Sequence, residues 1–257
     1  MPDSAALNES HRYTVREIGL AEPLQWLALG WRDFVRAPGP GILHGFALTM
    51  FGAALLAVAH SQFWLLAGAF SGFLLMGPLA ATGLYAISRA LERGEPPTMA
   101  TAMRTWIPKD HRLVLFGVLL SGAGTFWVLT SASLITGLAD AAVRNPVDFI
   151  RHVVLSQRSW LFEAWLALGG AMAAPVYASS VVSIPLLLDR PIGVLGAVLT
   201  SWRCVLANPG PLALWGALLM ALAGLGIATG FGLVVVVPWL AHASWHAYRA
   251  LVEPQGR

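Results

Sequence analysis

Five blocks of this chain stay apolar for longer than a soluble core helix needs, and they constrain the fold more than any other feature. A helix crosses the hydrocarbon of a bilayer in about 20 residues. Gly41–Ala59 (GILHGFALTMFGAALLAVA) meets that length, as do Gln62–Ser88, Leu113–Leu138 and Trp160–Leu188. The last block, Leu212–Leu251, is about twice what one helix needs. Its middle, Gly226-Ile-Ala-Thr-Gly-Phe-Gly232, offers small residues for a tight turn. It therefore reads as two short spans, 212–229 and 231–250. Only 11% of the 257 residues are charged, against about 25% in a soluble domain, too few to coat a water-facing globule. The expectation is an all-α polytopic membrane protein with six transmembrane helices, and a soluble enzyme is excluded.

Charge placement sets the orientation. On one side of a six-span arrangement lie Arg12, Arg16, Arg32, Arg36, Arg89, Arg93, Arg104, Lys109, Arg112, Arg190, Arg203, Arg249 and Arg257, thirteen of the sixteen basic residues. Arg144, Arg151 and Arg158 fall on the other. Basic residues stay with cytoplasmic loops, so both termini are expected inside. The same placement accounts for the net charge of +3 without nucleic acid, which would need a basic stripe on a soluble face. The first twenty residues lack the apolar stretch of a signal peptide. A single cysteine, Cys204, excludes an intramolecular disulfide.

An internal repeat organises the chain. Trp31-Arg32, five residues, then Pro38-Gly-Pro40 recurs as Trp202-Arg203, five residues, then Pro209-Gly-Pro211, each time just before a span. The hairpins that follow end alike: Pro78…Tyr85…Arg89-Ala-Leu91 matches Pro238…Trp245…Arg249-Ala-Leu251 at identical spacing. A fainter copy begins at Glu95-Pro96-Pro97 and Trp106. Each unit reads as an amphipathic cytoplasmic helix followed by a two-span hairpin. The expected divisions are a polar tail 1–19, repeats 20–91, 92–188 (with an outer loop 139–159) and 189–251, and a tail 252–257. Leu24, Leu27, Trp31, Phe34 and Val35 form the apolar stripe of the first interfacial helix. Pro78, Pro175, Pro185 and Pro238 place prolines in every second span, where they kink the helix.

Candidate chemistry is sparse. His242 and His246, four apart, share a helix face, and His44 lies at a similar depth. Three imidazoles could ligate a metal or haem; packing or interfacial polar contact is the alternative, and no Cys or Glu-x-x-His supplements them. No cofactor is expected. Gly68, Gly72, Gly226 and Gly230 form two Gly-x-x-x-Gly pairs that permit close helix approach. Ser179, Ser180 and Ser183, with Thr130, Ser131 and Ser133, either line a polar path or tie helices together. No nucleophile elbow, Walker loop or zinc helix is present, so no enzyme activity is expected.

The Trp-Arg…Pro-Gly-Pro element, the proline-bearing second spans and the closing Arg-Ala-Leu together resemble a bacterial family of predicted integral membrane proteins, domain of unknown function 2189. The resemblance runs from about Glu17 to Leu251. Members are sometimes labelled cytochrome c oxidase subunit I-like, but that subunit carries six haem- and copper-binding histidines, including an adjacent pair. Here no two of the seven histidines are adjacent. The resemblance implies a multi-pass protein of the bacterial cytoplasmic (inner) membrane and transfers no catalytic residues. The expected role is an accessory subunit or assembly factor of a membrane complex, respiratory or otherwise energy-transducing. Its partners would be the lipid bilayer and a membrane protein, with homo-oligomerisation open. A small-solute transporter or channel, and a haem- or metal-binding redox protein, are the alternatives.

Overall fold

The structure, a computed structural model, describes residues 2–59, 81–106, 111–156 and 160–254. Its helices are α1 (Pro2–His11), α2 (Glu22–Arg36), α3 (Pro38–Ala59), α4 (Thr82–Glu92), α5 (Met99–Trp106), α6 (His111–Leu138), α7 (Pro146–Phe149, continued by a π turn Ile150–Val154), α8 (Trp160–Ser180), α9 (Ser183–Asp189), α10 (Val194–Ala207), α11 (Pro209–Ala228) and α12 (Leu233–Leu251). Two short strands, β1 (Tyr13–Val15) and β2 (Val252–Pro254), complete it. Three described stretches are long and apolar enough to cross a membrane: His111–Leu138, Trp160–Asp189 and Pro209–Ala228. The expected second span lies largely outside the described residues, as do Gly68, Gly72 and Pro78. Helix α12 has 19 residues, but its second half carries His242, Ser244, His246, Tyr248 and Arg249, so composition alone does not mark it as a span.

The expected break in the last apolar block is present. Helix α11 ends at Ala228, Gly230 takes a positive φ of 70° that disfavours any other residue, and α12 starts at Leu233. The fourth apolar block is also interrupted. Helix α8 stops at Ser180 and α9 begins at Ser183, so Pro185 sits in a first turn, where its missing N–H is no loss. Pro175 and Pro238 lie inside α8 and α12, where sequence placed the kinks.

The chain divides into two compact units, residues 1–49, 78–116 and 177–257, and residues 50–77 and 117–176. In the first, α4, α9 and α12 meet one another pairwise, while α2 packs on α12, α5 on α4 and α10 on α9. The bends that join α2 to α3 and α10 to α11 match: Ala37 has φ −134° and ψ 61°, Asn208 φ −131° and ψ 53°. Glycine allows the tightest contacts. A Cβ on Gly30 would overlap the Ala243 backbone, and one on Gly45 would overlap the carbonyl of Val234. The residues of α2 buried against the protein are Pro23, Trp26, Leu27, Gly30, Asp33 and Phe34, of which Leu27 and Phe34 also belong to the apolar stripe. Leu24, Trp31 and Val35 are exposed, because α12 approaches along the glycine side.

The chain ends are tied to this unit. Strands β1 and β2 pair antiparallel, Thr14 opposite Glu253. The Glu9 carboxylate accepts a bond from the Gly193 N–H at the start of α10 (2.9 Å), where a negative charge is favoured. Buried Asn208 clamps the extended segment after β1, accepting from the Ile18 N–H (2.8 Å) and donating to the Arg16 carbonyl (2.9 Å).

The second unit is organised around Ile135, Val143, Val153 and Leu161, flanked by Phe149, Phe162 and Trp165. Its connection is shaped by a reciprocal cap: Asp148 N–H donates to Asn145 Oδ1 (2.9 Å), and Asn145 Nδ2 to Asp148 Oδ2 (2.9 Å). Trp165 Nε1 donates to Ser131 Oγ (2.7 Å), and Trp127 covers Gly169.

Two expectations follow. Gly45→Ala lowers stability in detergent by about 1–3 kcal/mol, as overpacking does, whereas Gly52→Ala on the same helix, with nothing near its added Cβ, is neutral or slightly stabilising. Asn208→Ala costs about 1–3 kcal/mol, because two part-buried backbone groups lose their partner. Thermal denaturation monitored by circular dichroism reads both.

Candidate functional site: a buried carboxylate–hydroxyl–imidazole network

Three helices of the first unit bring polar side chains into the interior. Asp33 comes from α2, Ser88 from α4, and His242 and His246 from α12. Helix α2 delivers Asp33 because it stands three residues after Gly30 and seven after Trp26, on the face that packs against α12. Ser88 Oγ donates to Asp33 Oδ2 (2.9 Å) and lies 2.7 Å from His242 Nδ1. His246 Nε2 lies 2.7 Å from the same carboxylate oxygen. Asp33, Ser88 and His242 are all buried.

Proton counting fixes the tautomer. The single Ser88 proton goes to Asp33, so the short contact to His242 is filled by its Nδ1–H. Its Nε2 then carries a lone pair. That atom is fully buried and makes no hydrogen bond to the protein, an arrangement that costs about 1–3 kcal/mol. His44, also buried, uses Nδ1 to donate to the Pro40 carbonyl one turn earlier (2.7 Å). Burial pushes the Asp33 carboxyl upward, but the bond and charge of His246, the Ser88 bond and the charge of His242 outweigh it and hold its pKa below the usual 3.8.

A second polar cluster joins the ends of α4, α9 and α12. Asp189, nearly buried, meets Arg93 (3.4 Å), Arg190 (3.1 Å) and the Tyr248 hydroxyl (2.9 Å). Arg89 donates to the Leu188 carbonyl (2.9 Å). Arg249 and Trp245 both reach the Glu92 carboxylate. These bonds run from each helix end to the next.

The sequence candidates separate by use. His242 and His246 join one network, but His246 is committed to Asp33. Among the described residues no group of three or more His, Cys, Asp or Glu could hold a metal ion, so the three histidines do not converge as one ligand set. Gly226 packs against Leu233 and Val236 of its own hairpin, and Gly230 supplies the turn. Of the motif residues, Arg89 and Arg249 tie helix ends together, while Arg203 donates to the Ser10 carbonyl (2.8 Å). Trp202 donates to Ser179 Oγ (2.9 Å), and Trp31 packs its ring edge against Trp239. Arg32 lies exposed on α2, Pro38 and Pro40 open α3, and Pro209 and Pro211 open α11. Of the hydroxyls, Ser131 and Ser179 accept from tryptophans of other helices, whereas Thr130 turns back onto its own helix. Sequence reasoning missed Asp33 and Ser88. The signal for Asp33 was its place on the Trp26–Gly30 face.

Residues 65–189 match the family described as predicted integral membrane protein, DUF2189. The match covers just under half of the chain. It contains Ser88 and Asp189 but not Asp33, His44, His242 or His246, so the buried network reaches beyond the matched residues. No curated protein and no solved structure matches the chain.

Because the folded pKa of Asp33 is depressed, its contribution to stability is complete above the unfolded carboxyl pKa of about 3.9 and disappears as pH falls through the folded value. Asp33→Asn therefore destabilises the protein by roughly 1.5–3 kcal/mol at neutral pH. It also flattens the loss of stability on acidification, as read by melting temperature between about pH 3 and 6.

Proposed function

We propose that the chain is a non-catalytic accessory or assembly subunit of a membrane complex. It is built as six spans in three repeats, with both termini on the cytoplasmic side of a bacterial inner membrane. The observation that carries the role is where polar and apolar groups go. Among the described residues most buried polar side chains bond within the chain, while the long helices keep little of their apolar surface to themselves. Only 22% of the most apolar window of α6 and 17% of that of α11 is buried. Such faces serve lateral contact with lipid or with another membrane protein.

The architecture has independent support. The hydrogen-bonded ladder between β1 and β2 fits an even number of crossings, with Tyr13–Val15 and Val252–Pro254 on one side. Matching bends at Ala37 and Asn208 fit three repeats, in which α5 and α10 rest on the end of the preceding hairpin (α4 and α9) and α2 on the end of the last one, α12. The thirteen-to-three distribution of basic residues favours the inside for both termini.

Two measurements test this. Burial pushes the Cys204 thiol up to about 12, so the native chain is silent to maleimide at neutral pH and an added cysteine reports alone. Asn8→Cys is expected to label only from the cytoplasmic side, and Val147→Cys only from the opposite side; the reverse pattern overturns the orientation. Recovery of the tagged protein in gentle detergent at native expression level, read by mass spectrometry, is expected to bring subunits of one complex in stoichiometric amount. Recovery alone overturns the accessory role in favour of a small-solute transporter.

A further inference from the structure

We propose that the outward face of α2 is a docking surface for anionic phospholipid, with Arg32 and Arg36 meeting the headgroups and Leu24, Ala28, Trp31 and Val35 entering the acyl boundary. The inference rests on the reading of α3 as a membrane span, but not on which side of the membrane the termini lie.

The residues of α2 divide around its axis. Pro23, Trp26, Gly30, Asp33 and Phe34 are buried against the protein. Leu24, Ala28, Trp31 and Val35 are exposed, and their spacing of four, three and four puts them on one face. Gln25, Arg32 and Arg36 are exposed too and fall on the adjoining face. Glu22 is half-buried in the first turn, and Asp33 is turned inward to Ser88 and His246, so no fully exposed acid of α2 opposes an anion. Arg32 and Arg36 enter none of the ion pairs among the described residues. An apolar strip with free cations along one edge is the pattern of a helix that lies in the plane of an anionic lipid surface.

Position favours the same partner. Only Ala37 separates α2 from α3, and the start of α3 is held close, since a Cβ on Gly41 would touch the Phe34 ring. Just beyond, α3 exposes Ile42, Leu43 and Phe46, an apolar surface suited to lipid. The face of α2 therefore stands where α3 leaves the hydrocarbon, at the level of the headgroups. Trp31, exposed with its ring edge on Trp239, is the type of side chain that favours this level.

The repeat supplies a contrast. Trp202 and Arg203 of α10 stand where Trp31 and Arg32 stand in α2, and Leu195, Trp202 and Leu206 are likewise exposed. Arg203, however, is spent on the Ser10 and Tyr13 carbonyls of the N-terminal segment (2.8 and 3.3 Å). Helix α10 keeps the apolar part of the pattern without an exposed cation, so the preference for anionic lipid belongs to α2.

The test uses the full chain in nanodiscs, with a nitroxide on Ala28→Cys or Leu43→Cys while buried Cys204 stays unlabelled. Native mass spectrometry with phosphatidylglycerol and phosphatidylcholine as probes reads lipid preference. Both labels are expected to meet oxygen more than a water-soluble nickel complex, and phosphatidylglycerol to outcompete phosphatidylcholine. Arg32→Gln with Arg36→Gln is expected to cut that preference about 10- to 30-fold. Arg12→Gln with Arg16→Gln, which removes as much charge from the N-terminal segment, is expected to leave it within about twofold, because charges away from the site are screened. The substituted side chains are all exposed, so the variants fold. A Leu43 label open to nickel overturns the span, and this surface with it. A Leu43 label in lipid with an Ala28 label in water overturns the surface alone, as does an equal loss in the two double variants. Wild type without a preference for phosphatidylglycerol also overturns it, and leaves the arginines to an acidic protein partner.

Discussion

A hydrogen-bonding group withdrawn from water into a bundle of apolar helices must find its partner inside the protein, and the described structure is arranged around that requirement. Asp33 brings a carboxylate into the interior and is tolerated because Ser88 and His246 both reach it. Close helix approach makes this feasible. With Gly30 against Ala243 and Gly45 against Val234, α2 and α3 both lie against α12, and short side chains on neighbouring helices come within bonding distance. Larger residues at those glycines would separate the helices and leave each polar group alone.

The same economy operates at the helix ends. Asp189 and Glu92 each serve several cationic or aromatic donors, and apart from Arg190 beside Asp189 those donors come from a neighbouring helix end. The result is a closed set of bonds among α4, α9 and α12. Arg89 and Arg249, which sequence comparison marks as equivalent, have equivalent tasks in different bonds: one holds a carbonyl at the end of α9, the other a carboxylate at the end of α4. Basic residues whose number is an orientation signal in membrane proteins here also hold helix ends together by their geometry.

Much of this was legible in the chain because it depends on local chemistry. The turn at Gly226–Gly232 follows from small residues amid an over-long apolar block, and Pro23 marks the start of α2 because a first turn tolerates proline. The candidate site was legible only in part. His44, His242 and His246 stand out as imidazoles in apolar surroundings, but Ser88 looks like one of many span hydroxyls, and Asp33 like a solvated charge beside Arg32. Periodicity also did not tell which apolar residues of α2 meet protein, since Leu24, Trp31 and Val35 are as apolar as the residues that are buried. Hydrophobicity alone does not say which side of such a helix packs on α12.

The sequence by itself determined the apolar surroundings of the long helices, the helical class, the positions of the turns and the uneven distribution of the basic residues. Each of these follows from residue types summed over a short window: apolar length, proline and glycine positions, arginine counts. Tertiary structure alone decided which polar groups meet. Asp33 and His246 are 213 residues apart, and Ser88 and His242 are 154 apart. Nothing local distinguishes a buried partner from a solvated neighbour at such separations. Their pairing depends on which helix lies beside which, at what register and how closely, and those are properties of the packed helices rather than of any one segment.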